Sequence, residues 1–152
     1  MDQIDQKILE FLQEDANQTA KEMAEKLSLT TTPIYERIKK LEKSGVIKKY
    51  VAILDHEILG LGLTVFMNIT IKEHQQKHRQ LFVNSISKLE DVIDLYHTSG
   101  AYDFLAKVRF KNVKAYKDFL VNDLAAIENI GDIDSQIVLD EIKTSTRVPL
   151  SF

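Results

Sequence analysis

The 152-residue chain contains no cysteine, no apolar run near the ~18 residues of a membrane span, and no marked excess of either charge. The first absence excludes disulfides and thiolate chemistry and fits a reducing compartment. The second is joined by an amphipathic, acidic start, MDQIDQKILEFL, unlike a secretion signal, so the expected location is the cytoplasm with no membrane partner. The third, a formal net charge of -3, argues against a protein that coats nucleic acid wholesale. What is present is 44% hydrophobic content, enough core for one ordinary domain or two small ones and unlike a disordered or fibrous chain.

The near-neutral total conceals a local imbalance. Residues 34–50 carry six basic side chains, Arg37, Lys39, Lys40, Lys43, Lys48 and Lys49, against Glu36 and Glu42, a local charge of +4. Residues 1–33 hold three lysines against seven acids, and the remaining stretches are also net negative. Positive charge focused in one segment is expected where a protein meets phosphates through a single element, although on charge alone a solvated helix face is the commoner cause.

Helical spacing supplies the context. Ile4, Ile8, Leu9, Phe11 and Leu12 predict an amphipathic helix over residues 2–14, with Asp2, Asp5, Glu10 and Glu14 facing out. Thr19 and Glu22 have the reciprocal spacing of a capping box and open a second helix that buries Ala20, Met23, Ala24 and Leu27. A third helix follows directly, with Ile34, Ile38 and Leu41 on one face and Tyr35, Glu36, Lys39, Lys40 and Lys43 largely on the others. Its N-cap is Thr30, which places Pro33 in the first turn, or Thr32, which places Pro33 at the first helical position. Lys43, Ser44 and Gly45 mark its end. A short helix, a tight turn and a charged second helix is helix-turn-helix spacing, with the third helix as the DNA-recognition helix.

After Gly45 the period changes. Residues 46–54 are β-prone and read as a strand-like linker, for which a symmetry-related copy in a second subunit is one available partner. From residue 61 the patterns run strand (63–72), helix (75–89), strand (92–98), strand (102–110), helix (112–127) and strand (132–143). This βαββαβ order describes a ferredoxin-like sandwich with two helices on one face of a four-stranded antiparallel sheet. Val65, Met67 and Ile69 against Phe66 and Ile71 suggest apolar groups on both faces, hence dimerisation through the sheet. The fold class is therefore α+β, divided into a helix-turn-helix domain (1–45), a strand linker (46–60) and a sandwich domain (61–152).

Three stretches, in this order and over essentially the whole chain, resemble the Lrp/AsnC (feast/famine) family of bacterial and archaeal transcription regulators. They are DQKILEFLQEDANQTAKEMAEKLSL with IYERIKKLEKSGVIKKYVAILD, the hairpin TSGAYDFLAKV, and the terminal DSQIVLDEIKTSTRVPL. The resemblance implies a winged or simple helix-turn-helix domain, a strand linker and a ligand-sensing αβ sandwich. It also implies homodimers that often assemble into tetramers, octamers or larger, and binding of an amino acid or related small effector near the hairpin, between dimers. Pro33 departs from the family pattern, which has a small residue there.

For duplex DNA, residues at the start of a recognition helix reach base edges and later ones reach phosphates. Thr31, Thr32, Tyr35 and Glu36 are the base-edge candidates, since hydroxyls pair with several bases and glutamate accepts from cytosine. Arg37, Lys39, Lys40 and Lys43 are the phosphate candidates, with Arg37 equally suited to an ion pair with an acid of the first two helices. For the effector, the stretch Ser99, Gly100, Ala101, Tyr102 and Asp103 offers backbone N–H groups for a carboxylate and Asp103 for an ammonium group. An ordinary hairpin capped by Asp103 is the plainer reading of the same residues. Asp134, Ser135 and Gln136 can complete such a cleft. His74 and His78 stand at metal-ligand spacing without a third ligand, and His97 suits either a packed core position or the effector cleft. Gly60 and Gly62 do not extend to a phosphate-binding pattern. No serine or lysine nucleophile has a base partner, so no catalytic residue, metal or cofactor other than the effector is expected and the protein reads as non-enzymatic. The reading is a DNA-binding regulator responding to a metabolite through oligomer assembly. The alternative is an oligomeric small-molecule-binding protein whose helical domain docks proteins.

Overall fold

The computed structural model describes residues 1–150; residues 151 and 152, the end of the expected second domain, lie outside the described residues. Its contacts gather into two units, Met1–Ile53 joined by the chain from Lys143 onward, and Leu54–Ile142.

The first unit is trihelical. Helix α1 (Gln3–Glu14) opens on a capping box in which the Asp2 carboxylate accepts from the amides of Ile4 and Asp5 while Asp5 accepts from the Asp2 amide, each at 3.0 Å. Asp5, expected to face out with Asp2, Glu10 and Glu14, is instead buried, because Arg37 reaches it. Helix α2 (Ala20–Leu27) is capped by the expected Thr19 and Glu22 pair and ends at Ser28 in the left-handed conformation. Helix α3 (Thr31–Lys43) has Thr30 as its N-cap, so Pro33 sits in the first turn, but the Thr30 hydroxyl makes no capping bond. Ile8, Leu9, Met23, Ala24, Ile34 and Leu41 form the closed core, with Ile38 and Ile47 packed against it. The tail docks on this unit too: Gln13 exchanges hydrogen bonds with the Val148 backbone, and Leu150 packs on the core.

Within one copy of the chain, residues 46–54, expected as a strand-like linker, form no ladder with another strand among the described residues, and Val51 and Ile53 are exposed. An extended segment becomes a strand only through a neighbour's N–H and C=O groups, and this chain supplies none there.

The second unit has the anticipated βαββαβ order: β1 (Leu63–Ile71), α4 (Gln76–Ile86), β2 (Val92–His97), β3 (Phe104–Phe110), α5 (Val113–Asp118) and β4 (Ile130–Ile137). The antiparallel sheet is ordered β2-β3-β1-β4. Beyond α5 the helix widens to a π-turn over Phe119–Leu124, where the Ala125 amide bonds to the carbonyl of Leu120, five residues back. The last strand ends at Ile137, short of the expected residue 143, and Leu139 and Ile142 are exposed.

Alternation assigns the faces. Val65, Met67, Ile69 and Ile71 of β1 and Phe104, Ala106, Val108 and Phe110 of β3 are buried beside Phe82, Ile86, Phe119 and Leu124 of the helical layer. Ile71, expected beside Phe66, shares the parity of Val65 and lies on this covered side instead. The open face therefore carries Phe66 and Asn68, with Lys107 and Leu105 opposite them on β3, Asp94 and Tyr96 beyond on β2, and Gln136 and Asp134 on β4. Near the start of β1, Glu141 accepts from the buried Thr64 hydroxyl at 2.8 Å and from Arg109 at 3.1 Å, and these hold its carboxyl below the usual glutamate range.

Candidate nucleic-acid interface and effector hairpin

Helix α3 buries Ile34 and Leu41 and leaves Thr31, Thr32, Tyr35, Glu36, Lys39, Lys40 and Lys43 exposed. With no side-chain cap, the first-turn N–H groups and the hydroxyls of Thr31 and Thr32 stand together at the helix start. The cations are not equivalent. Arg37 takes the structural alternative: its Nη1 lies 2.7 Å from Asp2 Oδ2 and 2.7 Å from Asp5 Oδ1. The hydrogen bond to Asp5, then that to Asp2, raises the guanidinium above its ordinary pKa. Asp2 is lowered, first by the Asp5 amide and then by Arg37. Lys39 is paired with Glu42 at 2.8 Å and stands 5.6 Å from the Tyr35 ring centroid; the Glu42 bond raises the lysine and lowers the glutamate. Glu42 also accepts from the Tyr50 hydroxyl at 3.1 Å. Lys40 and Lys43 contact no carboxylate among the described residues. Sequence reasoning counted Lys48 and Lys49 in the basic segment but gave them no role, and both are exposed.

In the second unit the hairpin between β2 and β3 places Ser99, Gly100 and Ala101 outside, with Gly100 at φ +116, a conformation suited to glycine. The amides of Ser99, Gly100, Ala101 and Tyr102 receive no hydrogen-bond acceptor from the described residues, whereas the Tyr102 carbonyl accepts from the Thr98 hydroxyl at 3.0 Å. Asp103 has a structural duty that spacing could not reveal: its Oδ2 accepts from the Ile71 amide at 2.9 Å, at the irregularity that ends β1. Its Oδ1 lies 3.3 Å from Nδ1 of His74, a neighbour 29 residues away in sequence that the sequence reading did not join to it. His78 contacts Glu73, and no cluster of three or more metal-ligating side chains occurs among the described residues. His97 is exposed, its ring 5.1 Å from that of Phe104.

The third group is only partly gathered. Asp134 and Gln136 pair with Asn68 and Phe66 and share the open face, while Ser135 pairs with Met67 and points to the covered side. Strand β1 separates Asp134 from the hairpin, roughly 10 Å for two inter-strand steps.

Residues 1–48 match the family described as winged helix-turn-helix DNA-binding, and residues 64–148 match the Lrp/AsnC ligand binding domain. The DNA-binding transcriptional activator DecR of Escherichia coli K12 is 33% identical over 150 residues, covering 99% of each chain. The glutamate uptake regulatory protein of Zymomonas mobilis is 36% identical over 99% of this chain and 91% of its own. A Neisseria meningitidis transcriptional regulator solved as its L-Met complex superposes with a TM-score of 0.93 at 32% identity, over 98% of this chain and 96% of that one. These matches define a class of two-part transcriptional regulators, each with a DNA-binding and a ligand-binding domain. The chain belongs to the Lrp/AsnC family, whose members are regulators and not enzymes.

Proposed function

We infer that the chain is a sequence-specific regulator that binds paired half-sites through α3 and responds to an amino acid or related metabolite by a change in oligomer assembly. The observation that carries the DNA half is the division of α3 into a face closed into the core and an exposed face with uncapped N–H groups, Thr31, Thr32, Tyr35 and Glu36 at its start and unpaired Lys40 and Lys43 at its end. Base-edge contacts fall to the first four and phosphate contacts to the lysines. The expected setting is the cytoplasm. A gel shift on random-sequence duplex, followed by selection, tests this: salt-sensitive, sequence-selective retention is expected, and no retention at low salt overturns it.

The effector half rests on the acceptor-free amides of the 99–102 turn beside the Asp103 carboxylate, which match a carboxylate and an ammonium group in turn. The name of the Escherichia coli leucine-responsive regulatory protein, 32% identical, and the L-Met complex of the Neisseria regulator favour an amino acid. Asp134 and Gln136 join such a site only across a subunit contact. A second copy of the chain is the proposed cover for the open sheet face and the partner of residues 46–54, and effector bound between copies then shifts the assembly by linkage. Isothermal titration with a panel of amino acids tests Asp103 through Asp103→Asn, which removes the charge and keeps an acceptor for the Ile71 amide. Unchanged binding removes Asp103 from the site, and solution mass with and without the ligand reads the assembly.

A further inference from the structure

The chain just beyond α3 is folded back along the helix and pinned at two points. Gly45, at φ +77, turns it, and its amide bonds to the Glu42 carbonyl at 3.0 Å. The Ile47 amide then donates to the Leu41 carbonyl at 3.2 Å while the Ile47 side chain packs on the trihelical core. Three residues later the Tyr50 hydroxyl donates to Glu42 at 3.1 Å. The two residues between the pins are Lys48 and Lys49. Both are exposed, and neither touches a carboxylate among the described residues.

The charge of residues 34–50 is thereby redistributed. Arg37 is held by Asp2 and Asp5, and Lys39 by Glu42. Within residues 34–50 the cations with no carboxylate partner among the described residues are Lys40, Lys43, Lys48 and Lys49, all at the C-terminal end of the helix or just past it. From Thr32 to Lys43 is roughly 16 Å along the axis, more than the ~12 Å width of the major groove. A helix that lowers its first turn to the bases therefore carries its last turn out over the sugar–phosphate backbone. There the C-terminal carbonyls repel phosphate, and close cations are needed to offset them.

We propose that Lys48 and Lys49, fixed beside the end of α3 by the Ile47 and Tyr50 contacts, are DNA-backbone contacts that take the phosphates flanking each half-site. This rests on the DNA-binding reading above and extends the interface beyond the recognition helix into the linker. Such contacts add affinity without sequence preference, because a phosphate carries no base identity.

The test measures binding of the full-length protein to a selected-site duplex and to a random-sequence duplex across a potassium chloride series, for wild type, Lys40→Ala, Lys48→Ala/Lys49→Ala and Lys48→Arg/Lys49→Arg. Each lost phosphate contact shallows the slope of log K against log salt by about 0.9, so the double alanine variant is expected to lose about 1.8 for each subunit bound, or about 3.6 for a dimer on paired half-sites, on both duplexes. The double arginine variant is expected to keep the wild-type slope. An unchanged slope in the double alanine variant, with Lys40→Ala still shallower, overturns this proposal and leaves the DNA-binding reading standing. Absence of salt-dependent duplex binding by wild type overturns both.

Discussion

Replacing Arg37 by alanine separates a structural cation from a DNA-binding one. Its guanidinium is about one-third exposed at 31%, but its Asp5 partner is only 12% exposed. Removing the guanidinium leaves that carboxylate with the Asp2 amide at 3.0 Å and without its countercharge. A hydrogen bond to a charged group contributes about 1.5–3 kcal/mol, and solvent screening at the partly exposed Arg37 reduces this one to about 1–2 kcal/mol. In a unit this small such a loss lowers the melting temperature by about 5–15 °C. The measurement is a double-mutant cycle of Arg37→Ala and Asp5→Asn, followed by urea unfolding with circular dichroism. Asparagine keeps the capping acceptor and removes the charge, so the expected coupling of about 1 kcal/mol belongs to the ion pair. The same Arg37→Ala protein is expected to bind duplex DNA more weakly with the wild-type salt slope. Additive stabilities, or a slope shallower by about 0.9 for each subunit bound, would refute the reasoning and return Arg37 to the phosphates.

Other expectations bear on the sandwich unit. A Cβ on Gly131 would stand 2.5 Å from Thr70 Oγ1 and 3.2 Å from the Thr70 carbonyl oxygen, and that hydroxyl already accepts from the Asp132 amide at 2.7 Å. Gly131→Ala should therefore cost about 1–3 kcal/mol in urea unfolding, and a neutral result would show that Thr70 yields freely. Burial, then Asp123 and Glu90, raise the Asp91 carboxyl above the usual aspartate range. The folded state thus binds that proton more tightly than the unfolded one, and its ionisation penalises folding above the raised pKa. Asp91→Asn should stabilise the protein at neutral pH, and the gain should fade as pH falls through the raised pKa; a gain independent of pH would refute the assignment.

Local signals read well in this chain because they act over three or four residues. The Thr19 and Glu22 cap, the stripe of Ile34, Ile38 and Leu41, and the glycine stop at Gly45 each need only their own turn of helix, and all three appear where their spacing puts them. The βαββαβ order was legible for the same reason, since it is a succession of local periods. Ile71 shows where that reading slips: strict alternation assigns it to the covered face, whatever its apolar character suggests. The pairings that give side chains their duties were not legible. Arg37 meets Asp5 across 32 positions, Asp103 meets the Ile71 amide across 32, and Gln13 meets Val148 across 135. No spacing rule spans such distances, because only the packed backbone brings those groups within hydrogen-bonding reach. The residue types therefore determined that a cationic helix and a glycine hairpin would exist. Tertiary structure decided which of their charges are neutralised within the fold and which face outward.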